Sequence, residues 1–282
     1  MNLIDASAAR TGLASVMRHG RIVLSAAAIY ALAYALESLT AFRLAAGDGP
    51  LWHWLVAMLI GFAATVPALA AFGRIGLGQA ARLAAGDDER RVLGVMALIW
   101  VLLFTVLGTA GLAVMFMFTA LAVINVDVNA EPPAGMVDIY ALFGTGEWIV
   151  AAVLLAAFAG FSLWFVARLS ISLPATLDSG RVRVLSIWPA SSKRWVHIAL
   201  TLLAASAPGA AILVLLNLTA HALLGVWPGA SHLGAETGSL AAVTLLGAVH
   251  GALKLVLVIA PGAAALGALY IKLPSDLPVD AS

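Results

Sequence analysis

Five side chains capable of chemistry fall inside stretches otherwise apolar enough to dissolve in hydrocarbon: Glu37, Asn217, His221, His250 and Lys254. His250 and Lys254 are four residues apart, as are Asn217 and His221, and residues at that spacing share a helix face. Gly247 and Gly251 form a GxxxG pair on the face of His250 and Lys254, so the polar face is also one that a second helix backbone can approach closely. Tyr30, Tyr34, Glu37 and Ser38 line one face of an earlier stretch, and His53 stands in the next. A titratable side chain in a membrane span costs roughly 2.5–3.5 kcal/mol on insertion scales, so each needs a compensating partner. The pattern predicts a polar cluster between the first, fifth and sixth stretches, with Glu37 paired to Lys254 in the outer half of the bilayer. Three readings fit it. Interhelical hydrogen-bonded glue comes first, a ligand or proton pathway second, and a metal held on the histidines last. No metal or other cofactor is expected.

The elements that must hold these residues are six apolar stretches, at 22–45, 51–72, 92–123, 147–170, 196–224 and 240–271. Apolar residues make up 63% of the 282-residue chain and charged residues 10%, with a mean hydropathy of +1.04. A soluble domain carries about 25% charge, so the solvent implied here is lipid. The fold expected is an all-α integral membrane protein, a single membrane domain over 1–282. A crossing takes about 20 residues, which makes the third, fifth and sixth stretches too long for one upright helix. Gly108 and Gly111, Pro208-Gly209 and Pro261-Gly262 mark where they could break, and a tilted, unbroken helix is the alternative.

Basic residues set the orientation. The segments 73–91 and 168–195 hold nine Lys/Arg between them, whereas 124–146 and 225–238 hold none. With Arg10, Arg18, Arg21 and Lys272, thirteen of fifteen basic residues fall on one side, Arg43 and Lys254 being the exceptions. The opposite loops carry Asp48, Asp127, Glu131, Asp138 and Glu236. The positive-inside rule then places both termini in the cytoplasm. Residues 1–19 lack the apolar run expected of a cleavable signal peptide, and the first long stretch starts only after Arg21, so 1–21 is expected to be a cytoplasmic amphipathic segment. Leu13, Val16 and Met17 beside Arg10 and Arg18 predict instead a short amphipathic helix at the membrane surface, and 272–282 a cytoplasmic tail. Trp52, Trp54, Trp148 and Trp227 at one set of span ends, and Trp188 and Trp195 at the other, fit aromatic belts.

Several functions are excluded. A net charge of +1 provides no basic stripe for nucleic acid. Without cysteine there is no thiolate nucleophile and no sulfur-ligated metal. No GxxxxGK[ST] or HExxH motif is present. Ser231-His232 has no orienting acid beside it. Asp87-Asp88-Glu89, next to Arg90-Arg91, reads as a solvated turn that balances its own charge ahead of a helix.

One connector carries more information. The fourth stretch ends in Arg168-Leu-Ser-Ile-Ser-Leu-Pro-Ala175, and the chain continues as Arg181-Val-Arg-Val-Leu-Ser-Ile-Trp188-Pro-Ala-Ser-Ser-Lys-Arg-Trp195. Pro174 should end or bend the helix near Leu173. Val182, Leu185 and Ile187-Trp188 predict a short interfacial helix, with Arg181, Arg183, Lys193 and Arg194 facing anionic headgroups. The segment resembles the YciC-type inner-membrane proteins and the related membrane domain of some glycerophosphodiester phosphodiesterases. Arg168, Leu173, Pro174 and Ala175 match the first half of that pattern, and Trp188, Arg194 and Trp195 the second. Pro189 departs from the polar residue usual after the Trp. The resemblance implies a six-helix membrane domain and transfers no catalytic residues. The function expected is non-enzymatic, in membrane or envelope homeostasis through lipids or partner proteins. A small transporter or permease subunit using the polar cluster is the alternative. An intramembrane enzyme acting on lipid comes third, since no nucleophile, base and electrophile converge.

Overall fold

The computed structural model describes residues 4–124, 143–192, 194–225, 228 and 240–273. Lys193, Trp227, Ser231-His232 and the acidic Asp127, Glu131, Asp138 and Glu236 lie outside the described residues, as does the tail from 274. Among the described residues the chain is helical without strands, and six helices are long and apolar enough to cross a membrane. In chain order they are α1 (Ala6–Arg18), α2 (Gly20–Ala45), α3 (Leu51–Gly76), α4 (Asp87–Ile124), α5 (Thr145–Ser170), α6 (Ser172–Ser179), α7 (Trp188–Ser192), α8 (Trp195–Leu224), α9 (Leu240–Lys254) and α10 (Ala260–Tyr270). A π-helical turn, Leu255–Ile259, joins α9 to α10 and makes them one span. The chain gathers into two compact units, 1–96 with 168–282, and 97–167.

At the centre of the first unit is α10, in which every residue from Ala260 to Gly267 is buried. It touches α1, α3, α6 and α8. Lipid offers no hydrophobic drive for helices to associate, so contact depends on how closely their backbones approach. A Cβ on Gly267 would sit 2.6 Å from the Gly73 carbonyl oxygen, and one on Gly76 would overlap the Ala264 carbonyl. Small residues at these positions are what allow α3 and α10 to touch backbone to backbone.

The helix expected at the N-terminus is present as α1. Asp5 caps it, its Oδ1 accepting from the N–H groups of Ser7 and Ala8 at 3.0 and 2.9 Å. The face set against α10 is the small one, Ala8, Ala9, Gly12 and Ser15, while Leu13 and Met17 are exposed. A Cβ on Gly12 would run into the Pro261 carbonyl, and Lys272 Nζ reaches Asp5 Oδ2 at 2.7 Å, so α1 runs antiparallel along α10. Lys272 also bonds Ser7 Oγ, and the Asp5 N–H donates to Thr201 Oγ1 on α8 at 3.0 Å. Partial burial alone would raise the Asp5 pKa. The hydrogen bonds from Lys272, Ser7 and the Ala8 N–H outweigh it and hold the carboxyl well below the usual carboxylate range.

Of the three long stretches, two run unbroken: α4 through Gly108 and Gly111, and α8 through Pro208. The sixth does break, one turn ahead of the expected Pro261. Pro261 has no N–H for the Leu257 carbonyl, and the helix widens into the π turn just before it. Gly209 of α8 seats against that carbonyl so closely that a Cβ there would overlap it. Ser206 Oγ donates to the neighbouring Val258 carbonyl at 3.4 Å.

The connector after α5 also differs from expectation. The chain turns at Ile171, and Pro174 falls in the first turn of α6, where its missing N–H costs nothing. Residues 172–177 are buried. Gly180 then adopts a left-handed φ of 63° and stops the helix, with its N–H on the Thr176 carbonyl at 3.0 Å. Thr176 Oγ1 accepts the Arg183 N–H at 2.9 Å and turns the chain away. The helix expected over Val182, Leu185 and Ile187-Trp188 is irregular chain as far as Ile187, with Val182 and Leu185 exposed and Val184 and Ile187 buried, and helical geometry resumes only at Trp188.

In the second unit, Phe143 packs edge-on against both Phe118 and Trp148, with ring centroids 6.2 and 5.3 Å apart, beside buried Ala122 and Ala151.

Candidate functional site

The polar side chains of the first and sixth spans meet on one seam. The position of Gly247 is filled by Ser38, and a Cβ on Gly251 would lie 2.6 Å from Cβ of Tyr34. The two glycines therefore receive α2 as their spacing suggested. On this seam the Tyr34 ring lies 5.6 Å from His250 and 5.9 Å from Tyr30, and Lys254 Nζ stands 5.5 Å over it. Glu37 is a charged neighbour of both phenols, and its carboxylate lies beside Gly61 of α3, where a Cβ would be 3.3 Å away. A cation–π contact is worth about 0.5–2 kcal/mol, which offsets only part of the cost of placing an ammonium in a span.

The expected levels need correction. With Ser38 opposite Gly247 and Tyr34 opposite Gly251, the antiparallel register carries Lys254 toward Tyr30, away from Glu37. Lys254 thus lies roughly 5–10 Å nearer the Gly20 end of α2 than Glu37 does, at 1.5 Å per residue. The depth count from Arg21 and Lys272 failed because the two do not mark one level. Lys272 pairs with Asp5, a whole helix upstream of Arg21.

The other candidates are dispersed. Asn217 is half-buried on α8, its Oδ1 enclosed without a hydrogen-bond partner, and His221 is exposed in the last turn of the same helix. α8 packs against α9 and the π turn. His53 is exposed and stacked edge-on with Trp52 at 3.9 Å. Among the described residues no group of three His, Cys, Asp or Glu side chains could hold a metal ion. Of the headgroup-facing candidates, Arg181 is exposed while Arg183 and Arg194 are half-buried.

Two polar constellations lay beyond the sequence reading. Asp88 and Glu89 do not form a self-balanced solvated turn; they reach back to α3. Arg74 Nη2 bonds Glu89 Oε1 at 2.7 Å and Asp88 Oδ2 at 2.9 Å, and its Nη1 donates to the Arg82 carbonyl at 3.3 Å. Arg82 and Arg91 also bond Asp88, at 3.2 and 3.1 Å. Glu89 Oε2 accepts the Gly86 N–H at 3.0 Å, the side-chain half of a capping box that starts α4. Asp87 and Arg90 also pair within the first turn of α4, fully in the open, at 3.5 Å. The network ties the connector 77–86 to both flanking spans. The second constellation is the Arg168 guanidinium, 3.9 Å over the Trp188 ring, with Nη2 donating to the Trp188 carbonyl at 2.6 Å. It joins the two halves of the motif-bearing segment. Pro189 sits just inside α7, where the helix tolerates it.

In the second unit, an open cleft of about 850 Å³ runs between α4 and α5, lined by Phe104, Gly108, Thr109, Leu112, Phe118 and Phe158 among others. Thr109 donates its hydroxyl to the Thr105 carbonyl at 2.6 Å, so that side chain offers the cleft no donor. Compared with known proteins, the chain matches no family model, no curated protein and no solved structure.

Proposed function

We propose that the protein is a multi-pass protein of a bacterial inner membrane, with both termini in the cytoplasm, that works through contact with membrane lipids. The α4–α5 cleft carries this reading. Its volume falls within the range of small-molecule sites, about 300–1,000 Å³, and its lining is almost wholly apolar. An apolar cleft that opens sideways from membrane-spanning helices is filled by the surrounding solvent, which here is acyl chain. The loop charges supply the orientation, and the exposed Arg181, Val182 and Leu185 suit a headgroup surface. The likeness of 168–195 to the YciC-type proteins agrees with a non-enzymatic membrane role.

The test is lipid analysis by mass spectrometry after purification in mild detergent. Filling the cleft with Gly108→Trp should lower the tightly held lipid several-fold while leaving the thermal melt in place. Equal lipid in both proteins would remove the reading. A second reading, transport through the polar seam, is favoured by the stacking of His250 and Lys254 on Tyr34. It predicts a solute or proton flux in vesicles that Lys254→Met abolishes.

A further inference from the structure

We propose that the α4–α5 cleft holds an isoprenoid quinone, with Thr105 donating a hydrogen bond to one carbonyl of the quinone ring. The proposal rests on the lipid reading of the cleft and narrows its occupant.

Threonine hydroxyls inside a span ordinarily bond back to their own helix. Thr40, Thr65, Thr109, Thr119, Thr219 and Thr244 all do so, each donating to a carbonyl three or four residues earlier at 2.6–3.0 Å. Thr176 and Thr201 instead accept backbone N–H groups from other segments. Thr105 does neither. Among the described residues its hydroxyl meets no hydrogen-bond partner, and the residue is exposed on the cleft wall. A hydroxyl left unbonded in hydrocarbon is costly, and the rest of the lining is apolar or, at Thr109, already engaged. The acceptor is therefore one that a ligand brings, and a lone donor in an apolar wall is the pattern of small-molecule sites.

Depth decides which lipid can bring it. Thr105 lies about 21 Å along the unbroken α4 from Arg91, at 1.5 Å per residue. The hydrocarbon layer is about 30 Å thick, so with Arg91 at the headgroups Thr105 stands roughly 6 Å past the midplane, and nearer to it when α4 tilts. Phospholipid ester groups stay at the edges of that layer and bring only alkyl chain to this level. An isoprenoid quinone dissolves wholly in the layer and carries two ring carbonyls with it.

The wall also suits a flat ring. Phe158 lies against the backbone at Gly111, 3.7 Å from where a Cβ would stand. Gly108 is three residues earlier on the same face, and a Cβ there would meet nothing within 4 Å. A quinone ring laid over Gly108 repeats the contact of Phe158 with Gly111 and sets a carbonyl beside Thr105, three residues further back. The rest of the cleft of about 850 Å³, past Leu112, Met115 and Phe118, takes the isoprenoid tail. A neutral glyceride also carries esters into hydrocarbon, but its branched glycerol does not lie flat on glycine backbone.

The test uses the full chain in phosphatidylcholine nanodiscs, titrated with ubiquinone labelled with carbon-13 at a ring carbonyl. The infrared band of that carbonyl reports its hydrogen bond directly. The expected result is a saturable, down-shifted band that Thr105→Val removes while weakening binding roughly three- to tenfold. Thr105→Ser should restore the band, and Thr109→Val, whose hydroxyl is spent within the helix, should leave it unchanged. No saturable band, or one that Thr105→Val leaves in place, overturns the proposal. Mass spectrometry of the lipid retained in mild detergent separates this from the reading it rests on. Phospholipid or glyceride displaced by Gly108→Trp, without quinone binding, upholds the lipid cleft and removes the quinone; no retained lipid of any kind removes both.

Discussion

Replacing Arg74 with alanine should be among the most damaging single changes in the chain. Its side chain is 4% exposed and that of Glu89 is 6% exposed, which places the pair in the buried regime, where breaking one partner strands the other. Truncation removes the bonds to Glu89, Asp88 and the Arg82 carbonyl together, at 2.7, 2.9 and 3.3 Å. Glu89 then keeps the Gly86 N–H but is left as a buried carboxylate without its cation, a loss of about 3–5 kcal/mol. Glu89→Gln keeps an acceptor for the Gly86 N–H and surrenders only the charge, so it should lose less, roughly 1–3 kcal/mol. Arg74→Met combined with Glu89→Gln should fall well short of the sum of the two single losses, because neither charge is left stranded. The measurement is a reversible detergent-denaturant titration in mixed micelles, with all three variants compared in one double-mutant cycle. If Arg74→Ala loses less than about 0.5 kcal/mol, the network behaves like an exposed ion pair and the reasoning fails.

Three further expectations follow from the packing and the charges. Gly209→Ala should lower stability by about 1–3 kcal/mol, because the new Cβ collides with the Leu257 carbonyl, whereas Gly160→Ala, with open space around it, should be neutral or stabilising; parallel melts decide it. Because the folded Asp5 carboxyl titrates below the unfolded value of about 3.9, its stabilising contribution is complete above that value and is lost as pH falls through the folded one. Melting temperature should therefore drop less steeply below about pH 4 in Asp5→Asn than in the parent, and equal slopes would contradict the linkage. Arg168→Lys gives up the flat stack on Trp188, worth about 0.5–2 kcal/mol, and should speed tryptic cleavage at Arg181 and Arg183; unchanged cleavage would mean that the clamp does not hold the segment.

The spans were legible because the apolar stretches of Glu37's and Lys254's helices end in turn residues and charges, and the GxxxG spacing of Gly247 and Gly251 named the face on which α2 is seated. What escaped was every relation between segments that depends on register. Arg74 reads in sequence as one more orienting cation, and nothing local says that a loop returns Glu89 to it. The Lys254 level was misplaced for the same reason, since Lys272 pairs across the fold with Asp5 and not beside Arg21. A break at Pro261 was one of the two readings open for the sixth span, but nothing local showed that Gly209 of another helix would seat against the freed Leu257 carbonyl. Arg168 and Trp188 were both named in the connector, but their stacking was not foreseen.

The central position of α10 has a consequence for the order in which the molecule is made. Helices α1 and α3 leave the ribosome long before the segment that supports them, and Gly12 and Gly76 present small faces that seat against its backbone at Pro261 and Ala264. Until the sixth span arrives, the early helices wait in the bilayer with those faces open to lipid or to insertion machinery. The packing of the early helices is thus completed only once the sixth span is inserted, and a fault in α10 would be felt first by the helices made earliest.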